Sequence, residues 1–247
     1  MRLLHLWRAL LRAVMLLALL GPLAGGLSAA RAQTDAPPVP LAAPGAHPRL
    51  LITRGYIDGT LRPRAEENRP AWAALLAYVD SDAPEADAAA HPDGALRALA
   101  VAWLLTGESR YAARGEALLS ALREQVAGDP ALSGNGLSVD FFDRVAALAV
   151  GYDWLYDALE ADMRSAVEQT LSAAAKRLRD PEFDRQGLLW VDGQPRAFTS
   201  ASARGLWALT ASALALRGSR TEADGLIASA RERLTAHTLP ALDLQTG

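Results

Sequence analysis

From about Arg49 onward, apolar residues recur at three- and four-residue intervals, the spacing that gathers them on one face of an α-helix. No stretch alternates β-branched with polar residues, so the pattern offers strands no obvious home. Thr53 reads as the cap of a short helix limited by Gly59 and Pro63, and Pro70 suits the first turn of a helix over 71–79. Residues 80–92 are polar and alanine-rich and read as a loop. Asp93 then caps a helix that runs to Thr106 and is apolar nearly all round, hence buried on most sides. Gly107 ends it, and 109–126 supplies an antiparallel partner. A loop at 128–138 contains Pro130, Gly134 and Gly136. Two long helices joined by a short turn fill 139–179, an irregular segment covers 181–198, and a last pair, 200–217 and 221–237, turns at Gly218. The inner helices are strongly apolar, while the outer ones carry Glu and Arg. Hairpins of that kind stack into a solenoid or ring, so the expected class is all-α, with antiparallel helical hairpins forming an incomplete (α/α) toroid. Gly107 and Gly218 lie 111 residues apart, across a hairpin of different length. No period of about 34 residues emerges, and tandem tetratricopeptide repeats are set aside.

The chain has 247 residues. At its N-terminus, Arg2, Arg8 and Arg12 precede an apolar run over 13–20 that Gly21-Pro22 breaks, and Ala30-Arg31-Ala32 gives a small-x-small cleavage pattern. Residues 1–32 therefore read as a secretory signal peptide, too short and too interrupted for a membrane anchor. Residues 33–48, with five prolines among Ala and Gly, read as an extended linker, and 49–247 as one domain with room for a substantial core. The expected location is periplasmic or secreted. Cysteine is absent, which removes disulfides and thiolate metal sites. Removing residues 1–32 takes away four of 25 basic residues and none of 28 acidic ones, leaving a formal charge of −7. That balance argues against nucleic acid as a partner, and any acidic ligand must be drawn by local Arg clusters rather than by the global field.

The densest chemistry lies at Gly151-Tyr152-Asp153-Trp154-Leu155-Tyr156-Asp157, a concentration of rings and carboxylates in a chain with only 6% aromatics. Rings stack on sugar C–H faces and carboxylates bond hydroxyls; equally, such residues serve as core rings with polar tips. At 100° per residue, Val145, Leu148, Ala149, Tyr152, Leu155, Tyr156 and Leu159 form the main core stripe, which makes Tyr152 and Tyr156 poor catalytic tyrosines. Asp140, Arg144, Ala147, Gly151 and Trp154 form a second, semi-polar sector. That sector suits a groove floor, and equally a tight helix–helix contact with an Asp140–Arg144 pair on its rim. On the penultimate helix Ser200, Arg204, Trp207 and Ala211 share a sector and repeat the composition of Arg, Trp and small residues.

Three stretches carry a resemblance to a known family. The string AVGYDWLYDAL followed by EADMRSAVEQTL, the segment His47-Pro48-Arg49-Leu50-Leu51-Ile52-Thr53, and the helix, turn and helix over 98–112 lie in the order expected of the N-terminal helical domain of heparinase II/III-type and alginate-lyase-type polysaccharide lyases. Together they span about residues 47–180. The resemblance implies an α/α toroid, an acidic, uronate-containing glycan as partner and cleavage by β-elimination; no cofactor or metal is expected. Elimination must neutralise the sugar carboxylate, remove the C5 proton and protonate the leaving oxygen. Where the family brings Asn or His for the first task, this chain has Ser200 and Ser202, with Arg196 or Arg204 as the charges left for it, beside the plainer reading of a serine cap. The family's catalytic Tyr, further His residues and β-sandwich would follow residue 247. The expectation is thus the N-terminal toroid portion of such a lyase, inactive alone, with catalytic residues unknown and substrate bound by Asp140, Arg144, Trp154, Ser200, Arg204 and Trp207.

Two other classes stay in view: a non-catalytic helical module that binds glycan or another protein, and an α/α-toroid glycoside hydrolase. The hydrolase needs two carboxylates facing across a cleft, whereas Asp140 and Asp153 point in different directions on one helix. His5, His47, His91 and His237 are scattered, without metal-ligand spacing. Asp180, Glu182 and Asp184 form a loop cluster best read as solvated, a calcium site being the minor alternative. No phosphate-binding loop, dinucleotide fingerprint or nucleophile elbow occurs.

Overall fold

In the computed structural model, residues 45–134, 138–180, 190–191, 194–195 and 200–239 are described. The expected signal segment, most of the linker, Arg196 and two members of the acidic loop cluster, Glu182 and Asp184, lie outside them. The elements are α1 (Arg54–Tyr56), α2 (Arg62–Glu67), α3 (Arg69–Val79), α4 (Ala83–Ala88), α5 (Pro92–Thr106), α6 (Ser109–Ala127), α7 (Val139–Leu155), α8 (Ala161–Arg179), α9 (Ser200–Ala215) and α10 (Ala223–Glu232). The fold is all-α. Its sole ladder among the described residues is a two-residue antiparallel pair, Trp190–Val191 with Gln194–Pro195. No described helix is long and apolar enough to cross a membrane.

Local chemistry explains most boundaries. Gly107 takes the left-handed conformation (φ 74°) and its N–H closes on the Trp103 carbonyl, so α5 stops there. Ser138 caps α7, its hydroxyl accepting from the Phe141 N–H, and Thr53 caps α1 through the Tyr56 N–H. Four expectations are corrected. Gly59 and Pro63 do not end the first helix: α1 passes through a π-helical stretch, Ile57–Leu61, into α2, where Pro63 occupies a first-turn position that needs no N–H donor. Residues 83–88, expected in a loop, form α4, with Pro84 again at the start. His91, not Asp93, is the residue before α5; Asp93 sits inside the first turn and pairs with Arg97. The last helix passes at Arg233 into a π-helical stretch, Arg233–Thr238.

Helix α7 is the centre of the core. Thirteen of its seventeen residues are buried, including the whole expected stripe within it, and it packs on α5, α6 and α9. The close approach to α5 and α6 needs glycines. A Cβ on Gly151 would overlap the Leu96 side chain and meet Leu119 at 3.1 Å, and one on Gly115 would meet Leu155 at 2.9 Å. Rising numbers on α7 thus meet falling numbers on α6, so the two run in opposite directions. Helices α7 and α9 run the same way: Arg204 near the start of α9 pairs with Asp143 near the start of α7 at 3.0 Å, and Arg49 bonds both Asp153 and the Arg217 carbonyl at their far ends.

Candidate functional site

The predicted site residues fall at two opposite ends of the inner helices. Asp140, Arg144, Ser200 and Arg204 lie where α7 and α9 begin. Trp154 lies fourteen residues beyond Asp140, about 21 Å along the helix axis. It is only 6% exposed, and its indole N–H donates to the Leu50 carbonyl at 2.8 Å. The semi-polar sector of α7 is accordingly a packing seam over most of its length: Ala147, Gly151 and Trp154 are buried against neighbours. Nor does Arg144 pair with Asp140 as the spacing suggests. It turns to Asp129, a carboxylate already fixed by the Ala131 N–H at 2.9 Å in the turn before α7.

What remains exposed at the starting end is a smaller set. Arg204 bonds Asp143, both about half exposed in their side chains, and Trp207, 37% exposed, lies three residues further along α9. Ser200 and Asp140 are exposed as well. Burial raises the Asp143 carboxyl above the usual carboxylate range, with the neighbouring Asp140 charge adding to that and Arg204 opposing it. The arrangement presents a guanidinium and an indole face on one side of one helix, a fork for a carboxylate or sulfate beside a stacking plate.

The far end holds a constellation that the sequence reading missed. Asp153 is fully buried. Its Oδ1 accepts from His47 Nδ1 at 2.7 Å, and its Oδ2 accepts the backbone N–H groups of Arg49 and Leu50, each at 2.7 Å. Arg49 donates in turn to His47 Nε2 and to the Arg217 carbonyl. His47 is stacked on Tyr156, with ring centroids 3.8 Å apart and planes 9° apart, and meets Tyr152 edge-on. Tyr152 donates to Glu168 at 2.6 Å, and burial with that carboxylate pushes its phenol well above the usual range. Histidine, arginine and tyrosine are the side chains an elimination reaction uses, yet here they are enclosed and mostly engaged, with the Arg49 Nε buried and unbonded. Both imidazole nitrogens are engaged, both Asp153 oxygens are engaged, and the His47 and Arg49 side chains are each 3% exposed. The constellation is a clasp, and its available signal was Asp153 itself: a charged residue inside a run buried on all sides must find partners.

The clasp belongs to a strap, residues 47–62, laid across the ends of the inner helices. Arg49 meets the last carbonyls after α9, Arg62 donates to the Leu104 and Leu105 carbonyls at the end of α5, and Arg54 pairs with Asp157 just past α7. Helix C-termini carry unsatisfied carbonyls and partial negative charge, and arginines answer both. The strap turns at Leu51, whose φ of 65° is sterically costly for a leucine; the Ile52 N–H closes back on the Leu50 carbonyl at 2.7 Å. Among the described residues no group of three or more His, Asp or Glu gathers as a metal site. Set against protein-family models, curated proteins and solved structures, the chain matches none.

Proposed function

We propose that this chain is the helical portion of a secreted or periplasmic polysaccharide lyase, its hairpins curved into an incomplete α/α toroid, and that it binds acidic, uronate-containing glycans. The observation that carries the reading is Arg204 with Trp207: one accessible guanidinium and one accessible indole on the same side of α9, beside Asp143 and Asp140. Surface ion pairs of this exposure are worth little, so an incoming carboxylate exchanges with Asp143 at small cost. Support also comes from the contact between two of the stretches that carry the family resemblance, His47–Thr53 and Gly151–Asp157, which pack together as one clasp.

Catalysis by this chain alone is not part of the proposal. Elimination needs a base and an acid beside the neutralising group, and groups that act as a unit lose most of their effect when one is missing. His47, Tyr111, Tyr152 and Tyr156 all sit with the strap or at the turn between α5 and α6, away from Arg204. That distribution favours, as the second reading, a helical module that binds glycan without turning it over. The test combines binding and turnover. Acidic oligosaccharides from heparan, chondroitin and alginate should bind the purified chain and fail to bind Arg204→Ala or Trp207→Ala, with no rise in the ultraviolet absorbance of an unsaturated uronate. A steady rise in that absorbance would make it a lyase in its own right, and no binding at all would remove the glycan reading.

A further inference from the structure

A cavity of about 280 Å³ opens where the strap crosses the end of α5, lined by Arg54, Arg62, Trp103, Leu104, Leu105, Thr106 and Gly107. Its position follows from the fold. The left-handed turn at Gly107 carries the chain away from the end of α5, and the strap passes above with two arginines eight residues apart. We propose that this cavity is a second ligand site, specific for a single carboxylate-bearing sugar unit, distinct from the Arg204–Trp207 face.

The donor inventory points to an acceptor-rich ligand. Arg54 uses one terminal nitrogen on Asp157, leaving its Nε and other terminal nitrogen without a bonded partner among the described residues. Arg62 spends its terminal nitrogens on the carbonyls that end α5 and, at 3.4 Å, on Asp58; its Nε stays open. Trp103 is half-buried, packed against both hydrophobic clusters on its inner side, and its indole N–H bonds no described residue. The Thr106 hydroxyl is already committed, donating to Ala102 and accepting from the Glu108 N–H. The cavity therefore offers unspent N–H donors and an aromatic ring. The nearby acids, Asp157 and Asp58, are exposed partners in pairs of the weak surface kind. A ligand carboxylate can take the open edge of Arg54 while the sugar ring lies against Trp103. The volume falls just below the range of about 300–1,000 Å³ for ligand pockets, which suits one sugar ring and not a chain.

Sodium glucuronate is the direct probe, with glucose and sodium acetate as the two halves of its chemistry. Titrated into the purified chain by calorimetry, with tryptophan fluorescence followed in parallel, glucuronate should saturate in the millimolar range, as expected for a small ligand in a small site. Arg54→Ala should weaken that binding at least about tenfold, because a charge-assisted bond is lost. Trp103→Phe, which keeps a ring and loses the indole N–H, should weaken it less. Circular dichroism of both variants should match the parent chain; the melting temperature of Arg54→Ala should match it too, while Trp103→Phe, packed against the core, should melt a little lower and stay folded at the assay temperature. Glucose should not bind, and acetate should bind far more weakly than glucuronate. Three results overturn the proposal: no saturable glucuronate binding, acetate binding as tightly as glucuronate, or full affinity in Arg54→Ala.

Discussion

The two ends of the inner helices use similar residues to opposite effect. At the ending side, Asp153, His47 and Arg49 are buried, and the histidine and carboxylate are bonded on every edge. At the starting side, Asp143 and Arg204 make one bond at the surface and keep their remaining donors and acceptors in water. An ion network that is dry and bonded at nearly every polar atom, the Arg49 Nε excepted, fixes geometry and presents no accessible group to a ligand. A wet, half-committed pair contributes little to folding and can change partners. Burial and saturation, more than residue type, separate the clasp from the candidate binding face.

Four experiments can break or sharpen that contrast. The largest effect is expected from Asp153→Ala, which strands two backbone N–H groups, His47 Nδ1 and the Arg49 charge in a dry site. The loss should be about 3–5 kcal/mol by urea denaturation, and Asp153→Asn should lose less because its carbonyl oxygen still accepts. If Asp153→Ala unfolds no more easily than the parent, the clasp is ornamental and the contrast fails. Next, Gly151→Ala drives a methyl into Leu96 and Leu119, both fully buried and unable to step aside. A cost of about 1–3 kcal/mol is expected, partly offset by the better helix propensity of alanine; a stabilised variant would mean that the seam is looser than its geometry.

A smaller effect attaches to pH. Glu222 accepts from the Ser172 hydroxyl at 2.6 Å and pairs with Lys176 at 3.1 Å; the serine bond leads in lowering its carboxyl from the usual 4.5 to about 2. Because the folded value is depressed, the stabilisation is fully present above pH 4.5 and is lost as pH falls toward 2. The side chain is 27% exposed, so solvent screening limits the contribution to about 1 kcal/mol. Glu222→Gln should flatten that part of the acid-denaturation profile, and an unchanged profile would show that the pair contributes nothing. The smallest stability change belongs to Arg204→Ala: within about 0.5 kcal/mol of the parent, with acidic-oligosaccharide binding lost. Ready unfolding instead would place Arg204 with the clasp rather than with the binding face.

Much of the helical order was legible because its causes are local. Gly107 needs only its own left-handed backbone to stop a helix, and Pro70 needs only its missing N–H to start one. Pro63 misled because the same missing N–H that breaks a helix interior is harmless in the first turn after a π-helical stretch. Residues 83–88 misled because six alanine-rich, acidic positions carry too short a period to read. The second face of α7 was read with two meanings, and packing chose between them: a groove and a seam both require small residues, and only the positions of Leu96 and Leu119 decide. The clasp was illegible for a different reason. His47 and Asp153 are 106 residues apart, and nothing near either names the other. Of the α9 sector drawn on the helical wheel, Ser200, Arg204 and Trp207 are exposed and Ala211 is buried, because the wheel groups a side of the helix without showing where along it the core begins.

The bond from Arg49 to the Arg217 carbonyl spans 168 positions of the chain. Without it, the hairpins would resemble a linear array in which each unit leans on its neighbours and frays from its ends. The strap ties Arg49 to the segment just after α9, a cross-link that the hairpins between them share. Opening any one hairpin then strains all of them, and the helices should exchange their amide protons together rather than in sequence. Cooperativity in this domain is then carried by the strap, which precedes every long helix among the described residues.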